Sequence, residues 1–139
     1  MLKSLNLNTK IDNKERIIIN YDDLANLYLT SKQYEKGLES CRKSLDLAKK
    51  HHFNGALGTI HITTGLLNYE LERLPAAEKE YKDGIRILSK IPNQSYNLCL
   101  GYLGLGKVKE QQGNQSGALP LFEKAIFFAK THHFPPELA

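Results

Sequence analysis

The chain has 139 residues, of which 41% are apolar and 24% charged, and its net charge is +4. These proportions are ordinary for one globular domain. No apolar run approaches the roughly 18 residues that a membrane span requires, and the N-terminus lacks the pattern of a secretory signal, so we expect a cytoplasmic protein. The basic residues are scattered singly, which argues against nucleic-acid binding by this segment, because phosphate contacts need several cations on one face.

Pairs of small residues twelve positions apart occur three times along the chain. The pairs are Ala25/Gly37, Gly65/Ala77 and Gly106/Ala118. Self-similarity at a period of about 40 residues is typical of a repeat architecture. A small residue on each helix of a hairpin lets the two backbones approach closely. The sequence therefore predicts three packed helical hairpins.

The repeat register and the local end signals place six helices. We predict them at residues 14–31, 34–51, 55–72, 75–90, 95–112 and 117–132, within repeats at 18–51, 58–91 and 99–132 of a single domain over 1–139. Pro75 suits a first helical position, and Ser95 and Ser116 are predicted N-caps. Pro120 is expected within the first turn of the last helix, where N–H groups lack helical partners.

The two ends of the chain suggest neighbouring structure. We expect residues 1–13 to be the tail of a preceding helix and residues 133–139 to be a C-terminal extension. The last hairpin is not followed by a polar capping helix, which repeat stacks usually need. This pattern suggests that the chain belongs to a longer array or that another chain covers an end.

Two β-branched runs conflict with a helical assignment. Residues 17–19 and 59–64 would on their own favour strands. The three-fold register outweighs them, because tertiary context commonly overrides local propensity. We therefore expect an all-α fold.

These patterns resemble the tetratricopeptide repeat family. The matching residues are Tyr21, Leu24, Ala25, Tyr28, Gly37 and Ser44 in the first copy, Gly65, Ala77, Tyr81 and Gly84 in the second, and Tyr102, Leu105, Gly106, Gly113, Ala118, Phe122 and Ala125 in the third. Cys41 and Lys109 stand where the family has aromatic residues. The long period is similar to the extended repeats of MalT-like regulators and kinesin light chains. The resemblance implies a right-handed superhelical stack of antiparallel helix hairpins, an α-solenoid.

The resemblance also implies a ligand surface on the concave face, which is made by the first helix of each hairpin. The corresponding residues are Ile19, Asp22, Asn26 and Leu29, then Thr59, Ile62, Leu66 and Tyr69, then Leu100, Leu103, Lys107 and Glu110. Seven of these twelve are Ile, Leu or Tyr, and an exposed apolar patch usually marks an interaction site. We expect a protein- or peptide-binding module, the sensory or scaffolding part of a larger protein such as a regulator. The alternative is a homo-oligomer that uses the same face.

The chain offers little for catalysis or for metal and cofactor binding. The pairs His51-His52 and His132-His133 suit the ends of helices better than a metal ion, because adjacent helical residues point about 100° apart. His61 is expected to be a half-buried packing residue, and the two cysteines, Cys41 and Cys99, to be small buried hydrophobes. With no catalytic triad, phosphate loop or paired carboxylates, we expect neither enzyme activity nor a cofactor.

Overall fold

The computed structural model contains six helices in succession, and it describes the backbone of residues 2–132 and the side chains of residues 13–131. The helices are α1 (Leu2–Thr30), α2 (Tyr34–Lys50), α3 (Asn54–Glu70), α4 (Leu74–Leu88), α5 (Ser95–Gln111) and α6 (Gln115–His132). Residues 2–132 contain no strand, so the all-α prediction is confirmed. Among the described residues, no helix combines the length and the apolar character that crossing a membrane requires.

The helices are arranged in two layers. Each helix packs against the next, and α1 also packs against α3 and α3 against α5. Within residues 2–132, the backbone of α2 does not pack against that of α4, nor does the backbone of α4 pack against that of α6. The odd-numbered helices therefore form one continuous layer, and the even-numbered helices stand apart from one another on its other side. This order of contacts is consistent with a helical repeat.

The turns that lead from odd to even helices share one backbone geometry. Lys32, Glu72 and Gly113, which are 40 and 41 positions apart, have φ values of 63°, 61° and 81°. After each of them, the N–H of the next residue donates to the carbonyl five positions earlier, at 2.8 to 2.9 Å. A left-handed residue followed by such a bond is a common way to end a helix. The repeat is therefore visible in the backbone as well as in the sequence.

The small residues of the repeat lie where helices cross. An added Cβ at Gly65 would be 2.9 Å from the Tyr81 ring, and one at Gly106 would be 2.6 Å from the Phe122 ring. In the second and third hairpins, a glycine thus makes room for the aromatic residue of the even helix. The first hairpin has Ala25 and Cys41 at these positions, both buried in one apolar cluster. Ala25 is larger than the glycine of the other two hairpins and leaves less room beside it. The smaller Cys41 therefore takes the place that an aromatic residue has in those hairpins.

The start of α1 corrects one prediction. The helix is continuous over Leu2–Thr30, so residues 2–13 belong to α1 itself. The prediction that they form the tail of a preceding helix is wrong. This segment contains neither proline nor glycine, so nothing in it interrupts the i to i−4 hydrogen bonds. The predicted extension at 133–139 lies outside the described residues.

The caps of the last two helices differ from the predictions as well. Ser95 is the first residue of α5, and the N-cap is Gln94, which makes no side-chain cap bond. At α6 the Asn114 Oδ1 accepts from the Gly117 N–H at 2.9 Å, so Asn114 caps the helix in place of Ser116. The helix therefore begins earlier than expected, and Pro120 lies inside it, beyond the first turn. Its missing N–H removes one helical hydrogen bond.

The threonine-rich run of α3 is helical despite its propensity. The hydroxyls of Thr59, Thr63 and Thr64 each donate to the carbonyl four residues earlier, at 3.0, 3.3 and 2.8 Å. These bonds satisfy the hydroxyls within the helix and let α3 be buried between its neighbours. The prediction that the repeat register outweighs the β-branched residues is confirmed.

Candidate functional site

All twelve predicted ligand residues lie on α1, α3 and α5, the layer of odd-numbered helices. Three of them, Ile19, Asp22 and Thr59, line one cavity of about 180 Å³ between α1 and α3. The other residues around it are Ile18, Ala56 and Ile60. We call this cavity the α1–α3 notch. Within the predicted ligand surface, the notch is the part where apolar side chains lie beside a charged group, Asp22.

Asp22 is the polar group of the α1–α3 notch. Its Oδ1 is buried and has no hydrogen-bond partner among the described residues. Burial raises the pKa of the Asp22 carboxyl above its ordinary value of 3.8; the nearby Thr63 hydroxyl, which donates to the Thr59 carbonyl, acts in the opposite direction, and the adjacent Asp23 adds to the increase. An acceptor without a donor in this position costs roughly 1–3 kcal/mol of stability. Asp22 is thus the one carboxyl group among the six residues that line the notch.

The walls of the α1–α3 notch differ in exposure. Ile18 and Ile60 are almost fully buried and form its floor, whereas the Ile19 side chain is 51% exposed at its edge. Exposed isoleucine beside a cavity offers apolar surface that a ligand would cover. The notch thus combines a buried base with an exposed edge.

Ile62 corrects the predicted surface. Its side chain is 3% exposed and belongs to the core cluster of the second and third hairpins. Added Cβ atoms at Gly84 and Gly101 would lie 2.7 and 2.9 Å from its Cδ1. Ile62 therefore fills the space that two glycines leave between α3, α4 and α5, and it is not available to a ligand.

The remaining predicted residues are dispersed. Leu29 packs against the core of the first two hairpins, and three more, Leu66, Tyr69 and Leu100, pack against the core of the second and third. Asn26 is exposed and donates to the Asp22 carbonyl of its own helix. Three further predicted residues, Leu103, Lys107 and Glu110, are exposed on α5. The structure thus brings three of the twelve residues together in one cavity, places Ile62 in the core, and sets four others against the core clusters.

A buried polar pair links α3 to α4. His61 Nδ1 lies 2.6 Å from Glu80 Oε2, and both side chains are largely enclosed. The sequence correctly predicted a packing role for His61, but its partner is nineteen residues away and was not predicted.

Burial raises the pKa of the nearby Cys41 thiol to about 12. Cys41 is therefore a protonated core residue at neutral pH.

A second polar cluster joins the second hairpin to the third. Glu78 lies 2.8 Å from Lys82 and 3.1 Å from Lys109, and the Gln112 side chain donates to it at 3.2 Å. The hydrogen bond from Lys82 contributes most to lowering the pKa of the Glu78 carboxyl to about 2, against the effect of its desolvation, and the bonds from Lys109 and Gln112 add to it. Lys109 is thus an ionic link between hairpins. The contact between Glu78 and Lys82 can be predicted, because the two residues are four positions apart on one helix. The contact with Lys109 cannot be predicted in this way, because Lys109 is 31 residues away from Glu78.

The histidine pairs show no metal site in the described residues. No three His, Cys, Asp or Glu side chains converge within the part of the chain whose side chains are described. His51 is the C-cap of α2, and burial, together with Lys14, Lys50 and His52, lowers its pKa. The neutral ring is favoured, so the helix dipole, which attracts a charged imidazole, does not account for His51. The His132 side chain and His133 lie outside the described residues.

Comparisons of the chain with protein-family models, with curated proteins and with solved structures found no match. The tetratricopeptide resemblance therefore stays a prediction from the residues quoted for it.

Proposed function

We propose that this chain is a protein- or peptide-binding module of the tetratricopeptide type, in which the layer of odd-numbered helices receives the ligand. The single observation that carries the proposal is that Ile19, Asp22 and Thr59 line one cavity between α1 and α3. In this proposal the hairpins continue as a right-handed superhelix, and the module binds without catalysis as the sensory or scaffolding part of a larger protein.

The notch favours a particular ligand chemistry. Asp22 supplies the one carboxyl group of the notch, and a cationic N–H donor makes a stronger hydrogen bond to a carboxylate than a neutral donor does. The apolar walls favour an aliphatic side chain next to that donor. We therefore propose a peptide segment that places a lysine, an arginine or an N-terminal ammonium beside an aliphatic residue.

The test is selection from a random peptide library, with Asp22→Asn and Asp23→Asn as a matched pair of variants. We expect the wild-type protein and Asp23→Asn to enrich the same cationic–aliphatic peptides, because Asp23 is exposed. Asp22→Asn should bind those peptides about tenfold or more weakly, since a charge-assisted bond contributes roughly 1.5–3 kcal/mol. Titration calorimetry with one selected peptide measures the difference.

The dependence on pH gives an independent check. A cationic peptide prefers the ionised form of Asp22, so wild-type affinity should fall as pH is lowered through the raised pKa of that carboxyl. Asp22→Asn should lose this dependence while keeping its helical circular dichroism. Equal binding by wild type and Asp22→Asn at all pH values would rule out the notch. A wild-type dimer that Ile19→Asp converts to a monomer would instead make this face an assembly surface.

A further inference from the structure

Two cavities lie one repeat apart along the edge of the molecule that carries the turns from odd to even helices. The first has a volume of about 340 Å³ and is lined by Lys32, Gln33, Tyr34, Glu35, Lys36 and Leu71. The second has a volume of about 330 Å³ and is lined by Tyr69, Glu70, Glu72, Leu74 and Gln111. We call them the first and the second turn cavity. Each lies between one hairpin and the next, so this edge repeats one kind of recess.

The two turn cavities share one construction. Lys32 and Tyr34 of the first stand 40 positions before Glu72 and Leu74 of the second. Tyr34 and Leu74 are half-buried and pack against the two core clusters. Lys32 and Glu72 hold the same left-handed backbone, with φ values of 63° and 61°. The end of the next odd-numbered helix closes each cavity on one side. Equivalent positions therefore build both cavities.

The charges of the two turn cavities are opposite. In the first, Lys32 and Lys36 form no ion pair with any carboxylate of residues 13–131. In the second, Glu70 and Glu72 form none with any cation of the same residues. All four side chains are exposed, so a ligand of opposite charge can reach them. The first turn cavity therefore attracts an anionic group and the second a cationic one.

Glu35 does not cancel the positive charge of the first turn cavity. Its carboxylate accepts a hydrogen bond from the guanidinium of Arg73, the N-cap residue of α4. This ion pair joins the first hairpin to the second, and it compensates the charge of Glu35. The other charged residues that line the cavity are Lys32 and Lys36, so its net charge is positive.

The residues beside these charges favour particular side chains. In the second turn cavity, Tyr69 and Leu74 line the same recess as the two carboxylates, and an aromatic face beside a carboxylate suits the guanidinium of an arginine. In the first, Tyr34 adds a phenolic hydroxyl to the two lysines, and a hydroxyl can donate to a carboxylate. The first turn cavity therefore fits an acidic side chain, and the second fits a basic one.

The spacing of the turn cavities matches an extended ligand. The helices α1 and α3, which lead into the two turns, pack against each other, and the axes of packed helices are about 8–10 Å apart. In a polyproline II segment, residues three positions apart lie on the same side and about 9 Å apart. An acidic and a basic side chain at this spacing can therefore enter both cavities together.

We propose that the two turn cavities bind an extended segment of a partner protein that carries an acidic and a basic residue three positions apart. The acidic side chain lies in the first turn cavity and the basic one in the second. A segment with two like charges meets repulsion in one of the cavities, so the charge pattern decides which segment binds. The binding surface is the edge that carries the turns, so it goes beyond the proposed function and does not depend on the α1–α3 notch.

The experiment compares four proline-framed peptides with blocked ends. They carry Glu-Pro-Pro-Arg, Arg-Pro-Pro-Glu, Glu-Pro-Pro-Glu or Arg-Pro-Pro-Arg at the centre. Fluorescence anisotropy measures the affinity of the full chain for each peptide. The wild type should bind one of the two mixed peptides about fivefold more tightly than either like-charged peptide, as expected when an exposed ion pair is lost.

Two double variants change the sign of one cavity at a time. Lys32→Glu with Lys36→Glu makes both cavities negative, so the doubly basic peptide should become the tightest ligand. Glu70→Lys with Glu72→Lys makes both positive, so the doubly acidic peptide should then bind best. All four substitutions together should restore the preference for a mixed peptide. Since lysine and glutamate already hold the same backbone at positions 32 and 72, the variants should keep their helical circular dichroism.

Lys90→Glu with Lys130→Glu is the matched control. It changes the net charge as much as the first double variant does, at exposed positions that line neither cavity, so it should keep the wild-type preference. Asp22→Asn should keep it as well. The proposal is wrong if the wild type does not prefer a mixed peptide, if the sign-changing variants keep the wild-type preference, or if the control loses it. Binding lost in Asp22→Asn would place the peptides in the α1–α3 notch and overturn the proposal too.

Discussion

Individual residues in left-handed conformations define the turns between odd and even helices. Only Gly113 among Lys32, Glu72 and Gly113 adopts its positive φ without a penalty from a side chain. The other two residues hold the same geometry because the following N–H bonds to the preceding helix. The repeated turn is therefore set by hydrogen bonding, and residue type modulates its stability.

Substitutions at these turns should change stability in opposite directions. Gly113→Ala should lower the free energy of unfolding by roughly 1 kcal/mol, because a Cβ in the left-handed region is strained; an added Cβ there meets no atom within 4 Å, so steric overlap does not contribute. Glu72→Gly should raise it by a similar amount. Urea denaturation measures both changes. Unchanged stability in Gly113→Ala would contradict the assigned geometry.

Helices approach closely where a glycine of one faces an aromatic ring of another. Tyr81 of α4 lies between Gly65 of its own hairpin and Gly104 of the next one, so one ring links α3, α4 and α5. Burial raises the pKa of its hydroxyl, so the neutral phenol is maintained in the core. The glycine-rich sequence of α5, which weakens a helix on propensity grounds, is thereby explained by packing.

Gly104→Ala tests this helix contact. The added Cβ would lie 2.3 Å from Tyr81 Cζ, so we expect the free energy of unfolding to fall by about 1–3 kcal/mol. Gly55→Ala is the matched control, because nothing lies within 4 Å of its Cβ position; it should be neutral or stabilise by up to about 1 kcal/mol. Thermal and urea unfolding give both values. Combining Gly104→Ala with Tyr81→Leu should cost less than the sum of the two single changes, and full additivity would argue against the contact.

At the scale of the whole molecule, the contacts between hairpins decide how the stack holds together. Apolar side chains carry most of them, and the cluster around Glu78 adds an ionic link from α4 to α5. Because the folded-state pKa of Glu78 is lowered to about 2, its contribution to stability is present above its ordinary value of 4.5. That contribution is lost as pH falls from 4.5 towards 2.

Glu78→Gln should therefore destabilise the protein at pH 7 by about 1 kcal/mol, as expected for partly exposed ion pairs. The difference between wild type and variant should shrink between pH 4.5 and 2 and vanish below that range. Glu39→Gln provides the control, because Glu39 pairs with Arg42 inside α2 and does not connect two hairpins. Its effect on the free energy of unfolding should therefore be smaller. A difference that stays constant with pH would show that charge is not responsible.

The sequence by itself determined the number of helices, most of their ends and the three-hairpin register, because these depend on neighbouring residues and on a regular period of small side chains. Only the tertiary structure decided that Ile62 is core, that Asp22 has an unpartnered oxygen, and that Glu78 pairs with Lys109. These properties arise where helices far apart in sequence cross, and the crossing geometry sets which side chains are buried and which groups meet.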